Sequence, residues 1–327
     1  MYDKTLVKNW YDKSVKMVPT RNGYGDGVVI EGRKNKDLMV LCCDLTESTR
    51  SEGFKDAYPE RFLEIGVAEQ NLIGVATGLA LEGKVPFCSS YAVFNPGRNW
   101  DQIRVSVCYN KANVKIVGAH AGISVGPDGA THQGLEDIAI TRVLPNMTVL
   151  APCDYEEAKK ATIAAAKMKG PVYLRFAREA TAVFTTPKTH FEIGKANVFK
   201  EGSDVTIIAC GPLVHKALLA AKKLTSLKIN VEVINNTTIK PLDEKVLLAS
   251  IKKTGAVVTV EEHQIAGGLG GAIAELTSKY HPVPIEFLGM PDSFGESGTP
   301  EELLKKYGMT EKDIVLAVNR VLKRKSK

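Results

Sequence analysis

Short apolar runs alternate with amphipathic stretches along most of the chain. Residues 38–43, 62–65, 85–88, 114–117, 147–150 and 172–176 are runs of strand length with little polar interruption, the pattern of strands covered on both faces. Between them, apolar positions return at helical spacing. Val67, Ala68, Leu72, Val75, Ala76 and Leu79 form one such stripe, with Gly83 as a C-cap. Residues 99–109, 135–142 and 155–169 form others, the last preceded by Asp154, a good N-cap. Residues 185–197 carry turn formers without periodicity and read as a linker. A second set follows, with strands at 205–210, 231–235, 256–260 and 284–288 and helices at 213–224, 243–252, 268–279 and 311–323. This alternation predicts an α/β protein of two doubly wound domains with mainly parallel sheets, 18–186 and 195–327. Residues 1–17 are expected to form a helix-like arm, and Gly25-Asp26-Gly27 a turn.

Composition narrows the function classes. The net charge of +6 is mild for 327 residues, and much of it lies in the stretch 320–327, which reads as a solvated helix end. No basic stripe with groove-reading elements points to nucleic acid. No run of 18 apolar residues suggests a membrane span, and residues 1–16 are polar, unlike a signal peptide. The six cysteines lack metal-ligand spacing and sit mostly in apolar runs, as buried thiols do in a reducing compartment. A cytoplasmic protein is expected.

Several residues could carry chemistry. Glu69 stands in the first turn of a helix, where a carboxylate also simply complements the helix dipole. Tyr91 and Phe94 follow a strand end, where ligands bind in such sheets, although aromatics more often pack in a core. His120, Asp128 and His132 share one Gly-rich stretch; they suit polar-ligand binding and proton transfer, a metal site, or plain solvation. Arg21 and Arg178 are surface charges or, if convergent, an anion clamp.

Three blocks sharpen these choices: Ile65-Gly-Val-Ala-Glu-Gln-Asn71, His120-Ala-Gly-Ile-Ser-Val-Gly-Pro-Asp-Gly-Ala-Thr-His-Gln133, and Val143-Leu-Pro-Asn-Met-Thr-Val-Leu-Ala-Pro152. In type, order and spacing they resemble the C-terminal half of transketolase, a thiamine-diphosphate enzyme, and the resemblance runs from about residue 18 to the end. It implies that Glu69 donates a hydrogen bond to the cofactor's pyrimidine ring nitrogen, for which apolar walls would keep it protonated. Tyr91 and Phe94 would flank that ring. The family's third aromatic is displaced here, Gly97 standing near its place, and Trp100 is left aside. His120, Asp128 and His132 would contact the sugar, His132 also moving a proton. Arg21, Ser48 and Arg178 would hold the phosphate end, with Arg178 favoured over Arg175.

The family's magnesium-diphosphate motif is not matched: Gly25-Asp26-Gly27 lacks the downstream asparagine. The resemblance therefore implies the second subunit of a split transketolase, moving a two-carbon ketol unit between sugar phosphates. An N-terminal partner subunit would hold the diphosphate and Mg2+, in a homodimer or heterotetramer; no metal site is expected on this chain. The nearest alternatives are the matching half of a deoxyxylulose-phosphate synthase, which usually has aspartate in place of His120, and a non-catalytic interaction subunit. The beta subunit of a 2-oxoacid dehydrogenase lacks this sugar loop.

Overall fold

The computed structural model describes residues 1–325. Its strands are β1 (Met17–Pro19), β2 (Leu38–Cys42), β3 (Phe62–Glu64), β4 (Val85–Tyr91), β5 (Lys115–Ala119), β6 (Thr148–Leu150), β7 (Val172–Arg175), β8 (Ala180–Ala182), β9 (Asn197–Lys200), β10 (Val205–Ala209), β11 (Val231–Asn235), β12 (Thr238–Lys240), β13 (Val257–Gln264) and β14 (Ile285–Met290). Seven of them form one sheet in the order β12-β6-β7-β5-β4-β2-β3, and five form a second, β14-β13-β10-β11-β9. All neighbours are parallel except the edge strands β12 and β9. The central strands are buried along their lengths, as expected for sheets covered by helices on both faces. The fold class is α/β.

Asp154 shows how a polar residue can sit in such a core. It is fully buried and caps helix Tyr155–Lys167 through Glu157 N (3.0 Å). Its carboxylate also accepts from Phe184 N, Thr185 N and Thr185 Oγ1. A capping residue thereby also pins the chain leaving the first sheet.

Three expectations are corrected. Residues 1–15 form turns, not a helix. Leu6, Trp10 and Val15 pack with Phe184, Phe199 and the second sheet, and His215 bonds the Trp10 carbonyl (2.6 Å). These side chains are buried against the protein surface without forming one helical face. Gly25-Asp26-Gly27 is not a turn but lies inside helix Thr20–Lys34. Glycine is placed there for close approach: a Cβ on Gly23 would stand 2.3 Å from the Tyr155 carbonyl, and one on Gly27 2.8 Å from Thr162 Cβ. Finally, β12 lies beyond the expected linker yet joins the first sheet, pairing antiparallel with β6. The two halves of the chain are stitched together there.

Helix glycines should consequently split by context. Ala is intrinsically better than Gly in a helix by about 1 kcal/mol. Gly74 meets no atom within 4 Å, so Gly74→Ala should raise stability by about 0.5–1 kcal/mol. Gly23→Ala should instead lower it by about 1–2 kcal/mol, because overpacking outweighs propensity. Urea unfolding of both variants checks the opposite signs.

Candidate active site

The candidate residues from the first sheet converge at the carboxyl ends of its parallel strands, where the last backbone groups and the following loops are free to meet a ligand. Glu69 opens helix Glu69–Leu81 just after β3 and is 3% exposed. Ser90, near the end of β4, donates to its Oε1 (2.9 Å), and Arg98 Nη1 reaches its Oε2 (3.1 Å). Asn99 Nδ2 bonds the Glu69 carbonyl (3.0 Å) and Asn95 Oδ1, holding the loop that follows β4 against the helix start. The surroundings are therefore not the purely apolar walls expected. Ser90 and Arg98 offer donors to the carboxyl oxygens.

Around this carboxyl the rings assemble. Tyr91 and Phe94 stand 6.1 Å apart at an interplanar angle of 18°. Tyr91 stacks on His120 at 3.9 Å, and His132 meets the edges of both Tyr91 (6.0 Å) and Phe94 (5.4 Å). The Arg98 guanidinium lies 3.9 Å from the Phe94 ring centroid while bonding Glu69. A flat, hydrogen-bonding group thus already sits on Phe94 and touches the carboxyl. An open cavity of about 590 Å3 adjoins it, lined by Val67, Ala68, Glu69, Gln70, Asn71 and Arg98.

His120 lies immediately beyond β5 at φ +53° and is 1% exposed. Its Nε2 is 3.2 Å from Arg21 Nη1. Arginine can only donate, so Nε2 is the bare acceptor and the proton belongs on Nδ1, a buried atom with no protein partner. Burial first, then the nearby Arg21, Arg178, His132 and Arg50 charges, push the His120 pKa down to about 3. Burial and these charges keep this imidazole neutral at pH 7.

Arg21 also donates to the Ser48 carbonyl (2.6 Å), so Ser48 enters through its backbone. Burial and the like charges of Arg50 and Arg178 lower the Arg21 pKa, and its Nε is buried without a partner. Arg178 Nη1 bonds the Val125 carbonyl (3.1 Å) and Glu179 (2.8 Å). Arg175 is committed elsewhere, in a buried pair with Asp137 (2.8 Å). Trp100 is likewise committed, donating to the Ile140 carbonyl. Asp128 is exposed at the end of the turn Ile123–Asp128, with no side-chain hydrogen bond among the described residues, and is not drawn into the ring cluster. Sequence reasoning missed Ser90, Arg98, Asn99 and Arg50. Their types are ordinary loop residues, and only the folded strand ends bring them to Glu69 and Arg21.

All six cysteines are free and buried, and burial raises each thiol. Among the described residues no helix is long and apolar enough to cross a membrane.

Comparison with known proteins identifies the family. Residues 16–183 match the family model "Transketolase, pyrimidine binding domain" and residues 194–314 "Transketolase, C-terminal domain". The chain is 46% identical to the "Putative transketolase C-terminal section" of Methanocaldococcus jannaschii, over 93% of this chain and 96% of that protein. It is 41% identical to the "6-deoxy-6-sulfo-D-fructose transketolase subunit SqwH" of a Clostridium species, over 94% and 95% of the two chains. A solved structure described as "Split gene transketolase, inactive beta4 tetramer" superposes with a TM-score of 0.89 at 47% identity, covering 94% of this chain and 99% of that one. The chain belongs to the transketolase family and carries its pyrimidine-binding and C-terminal domains.

Proposed function

We propose that this chain is the C-terminal subunit of a two-chain transketolase, transferring a two-carbon ketol unit between sugar phosphates once joined by a subunit carrying the diphosphate-binding domain. One observation carries the reading: Glu69, Arg98, Phe94, Tyr91, His132, His120 and Arg21 form one continuous cluster, from a carboxyl through a guanidinium and stacked rings to a cation. Thiamine diphosphate, when bound, supplies a thiazolium carbon nucleophile for breaking and making carbon–carbon bonds beside a carbonyl.

In this reading Phe94 and Tyr91 grip the pyrimidine, and Glu69, protonated, donates to its ring nitrogen. Arg98 must then leave the Phe94 face. Only Arg98 is half-exposed, whereas the Glu69 side chain is 2% exposed, so this departure is offset by the proton Glu69 takes up and the ring nitrogen it then meets. His120 offers its unpartnered Nδ1–H to a substrate oxygen, and His132, only partly buried, is the proton carrier. Arg21 and Arg178, with Arg50 nearby, hold the anionic end; Asp128 meets a sugar hydroxyl. The diphosphate and its Mg2+ fall to the partner. The relatives named above are transketolase subunits, which disfavours a deoxyxylulose-phosphate synthase. The Clostridium relative's name makes a sulfonated ketose a second donor to test.

The chain alone should turn over neither xylulose 5-phosphate nor 6-deoxy-6-sulfofructose with ribose 5-phosphate. Adding a chain with the diphosphate motif should restore transfer, and Glu69→Gln in that complex should lose about 10²–10⁴-fold in kcat. Near-normal turnover by Glu69→Gln would sink the assignment.

Arg98→Ala should tighten thiamine diphosphate binding to the complex by about fivefold or more, because it removes a group that occupies both the Phe94 face and the Glu69 carboxylate. Calorimetry decides: weaker binding would mean that Arg98 supports the cofactor.

The His120 ring should show no titration across roughly pH 5–8 by NMR. Unfolded chain takes up this proton near pH 6.5, whereas folded protein does so only near pH 3, so the group lowers stability as pH falls through that window.

A further inference from the structure

We propose that Glu262, from the second domain, is the positioning residue for the substrate-binding loop 120–134. The inference rests on the functional reading above for the loop's role, but its geometry stands alone.

The loop is irregular. It leaves β5 through His120 at positive φ and passes three glycines at positive φ, Gly122, Gly126 and Gly129. Such a segment has little regular backbone pairing to fix it. From its own domain it receives the Ala121 N to Phe176 O bond and the Arg178 contact to Val125 O. Its two ends are tied by Gly122 N to Gly134 O (2.8 Å), and Arg21 and Arg175 hold His120 and the Gly134 carbonyl. The Ser124 backbone N–H is instead met from across the domain boundary. Glu262, on β13, is 3% exposed, and its Oε1 accepts from Ser124 N at 2.6 Å. Ser124 lies at the start of the six-residue segment Ile123–Asp128, whose opening backbone N–H groups lack partners within it. The fit is tight: a Cβ on Gly122 would fall 2.3 Å from that same Oε1. The Glu262 backbone is itself held, its carbonyl accepting from Arg175 Nη2 (2.8 Å). Farther along the loop, Gln133 Nε2 bonds the Glu296 carbonyl (2.9 Å), and Gly126 lies against Gly298 and Pro300.

Glu262 therefore fixes the loop four residues after His120 and four before Asp128, without itself touching the rings of the site. Losing a hydrogen bond to a charged group is worth roughly tenfold to a hundredfold in an equilibrium. In the two-chain complex, Glu262→Ala should raise donor KM about tenfold or more, with a smaller change in kcat and unchanged thiamine diphosphate affinity by calorimetry. Glu262→Gln keeps an acceptor oxygen and should restore most of the loss; Glu262→Asp, shorter by one methylene, should not. Amide hydrogen exchange gives a readout independent of activity: protection should fall across 120–134 in the Ala and Asp variants and nowhere else. If the Ala variant does not fold, the Asp and Gln pair carries the test. Unchanged loop exchange in the Asp variant, or a loss of protection spread over both domains, would overturn the proposal. If the wild-type complex transfers no ketol unit, the functional reading fails, while the exchange experiment still decides whether Glu262 holds the loop.

Discussion

The structure turns on the buried Arg175–Asp137 pair. Both side chains are at most 5% exposed, and an ion pair so placed persists only if every remaining donor and acceptor is met. Here they are. Arg175 binds both carboxylate oxygens and the carbonyls of Gly134 and Glu262, while the Tyr173 hydroxyl donates to Asp137 (2.7 Å). One guanidinium thus ties the end of β7, the exit of the loop 120–134 and β13 of the second sheet. Removing it would leave Asp137 buried without its countercharge, a loss of about 3–5 kcal/mol by general experience with such pairs.

That tie explains why the second domain matters to a site built on the first sheet. The rings and the carboxyl stand on β3, β4 and β5, but the loop bearing His120, Asp128 and His132 is enclosed by residues from both halves. The electrostatics follow the same division. Glu69 lies where a helix begins, paired with Arg98, whereas Arg21, Arg50 and Arg178 gather at the other end, around His120. Arg21 and Arg178 press charge on the imidazole from one side while burial removes water, so His120 keeps a neutral ring that can only accept at Nε2 and donate at Nδ1. His132, four residues beyond Asp128, is partly open and pairs through Nδ1 with the Thr131 hydroxyl (2.8 Å).

The sequence by itself determined the alternation of strands and helices, since apolar runs and helical spacing are local consequences of what each face must bury. It determined the Asp154 cap, because the capping bond lies within the helix's own first turn, while the further bonds to Phe184 and Thr185 needed the fold. It also pointed to Glu69, Tyr91, Phe94, His120, His132 and Arg21, because motif spacing survives in one dimension. It did not reveal helix Thr20–Lys34, whose glycines read as a turn until the neighbouring helix shows that no Cβ would fit. Nor did it reveal that β12 returns to the first sheet, or that residues 1–15 pack on the second, since both are pairings between distant segments. Only the tertiary structure decided that Arg98 covers Phe94, that Ser48 acts through its carbonyl, that Arg175 is bound to Asp137, and that Glu262 holds the loop. Each depends on a distance between residues far apart in the chain or on where a flexible side chain settles, and neither is encoded in periodicity.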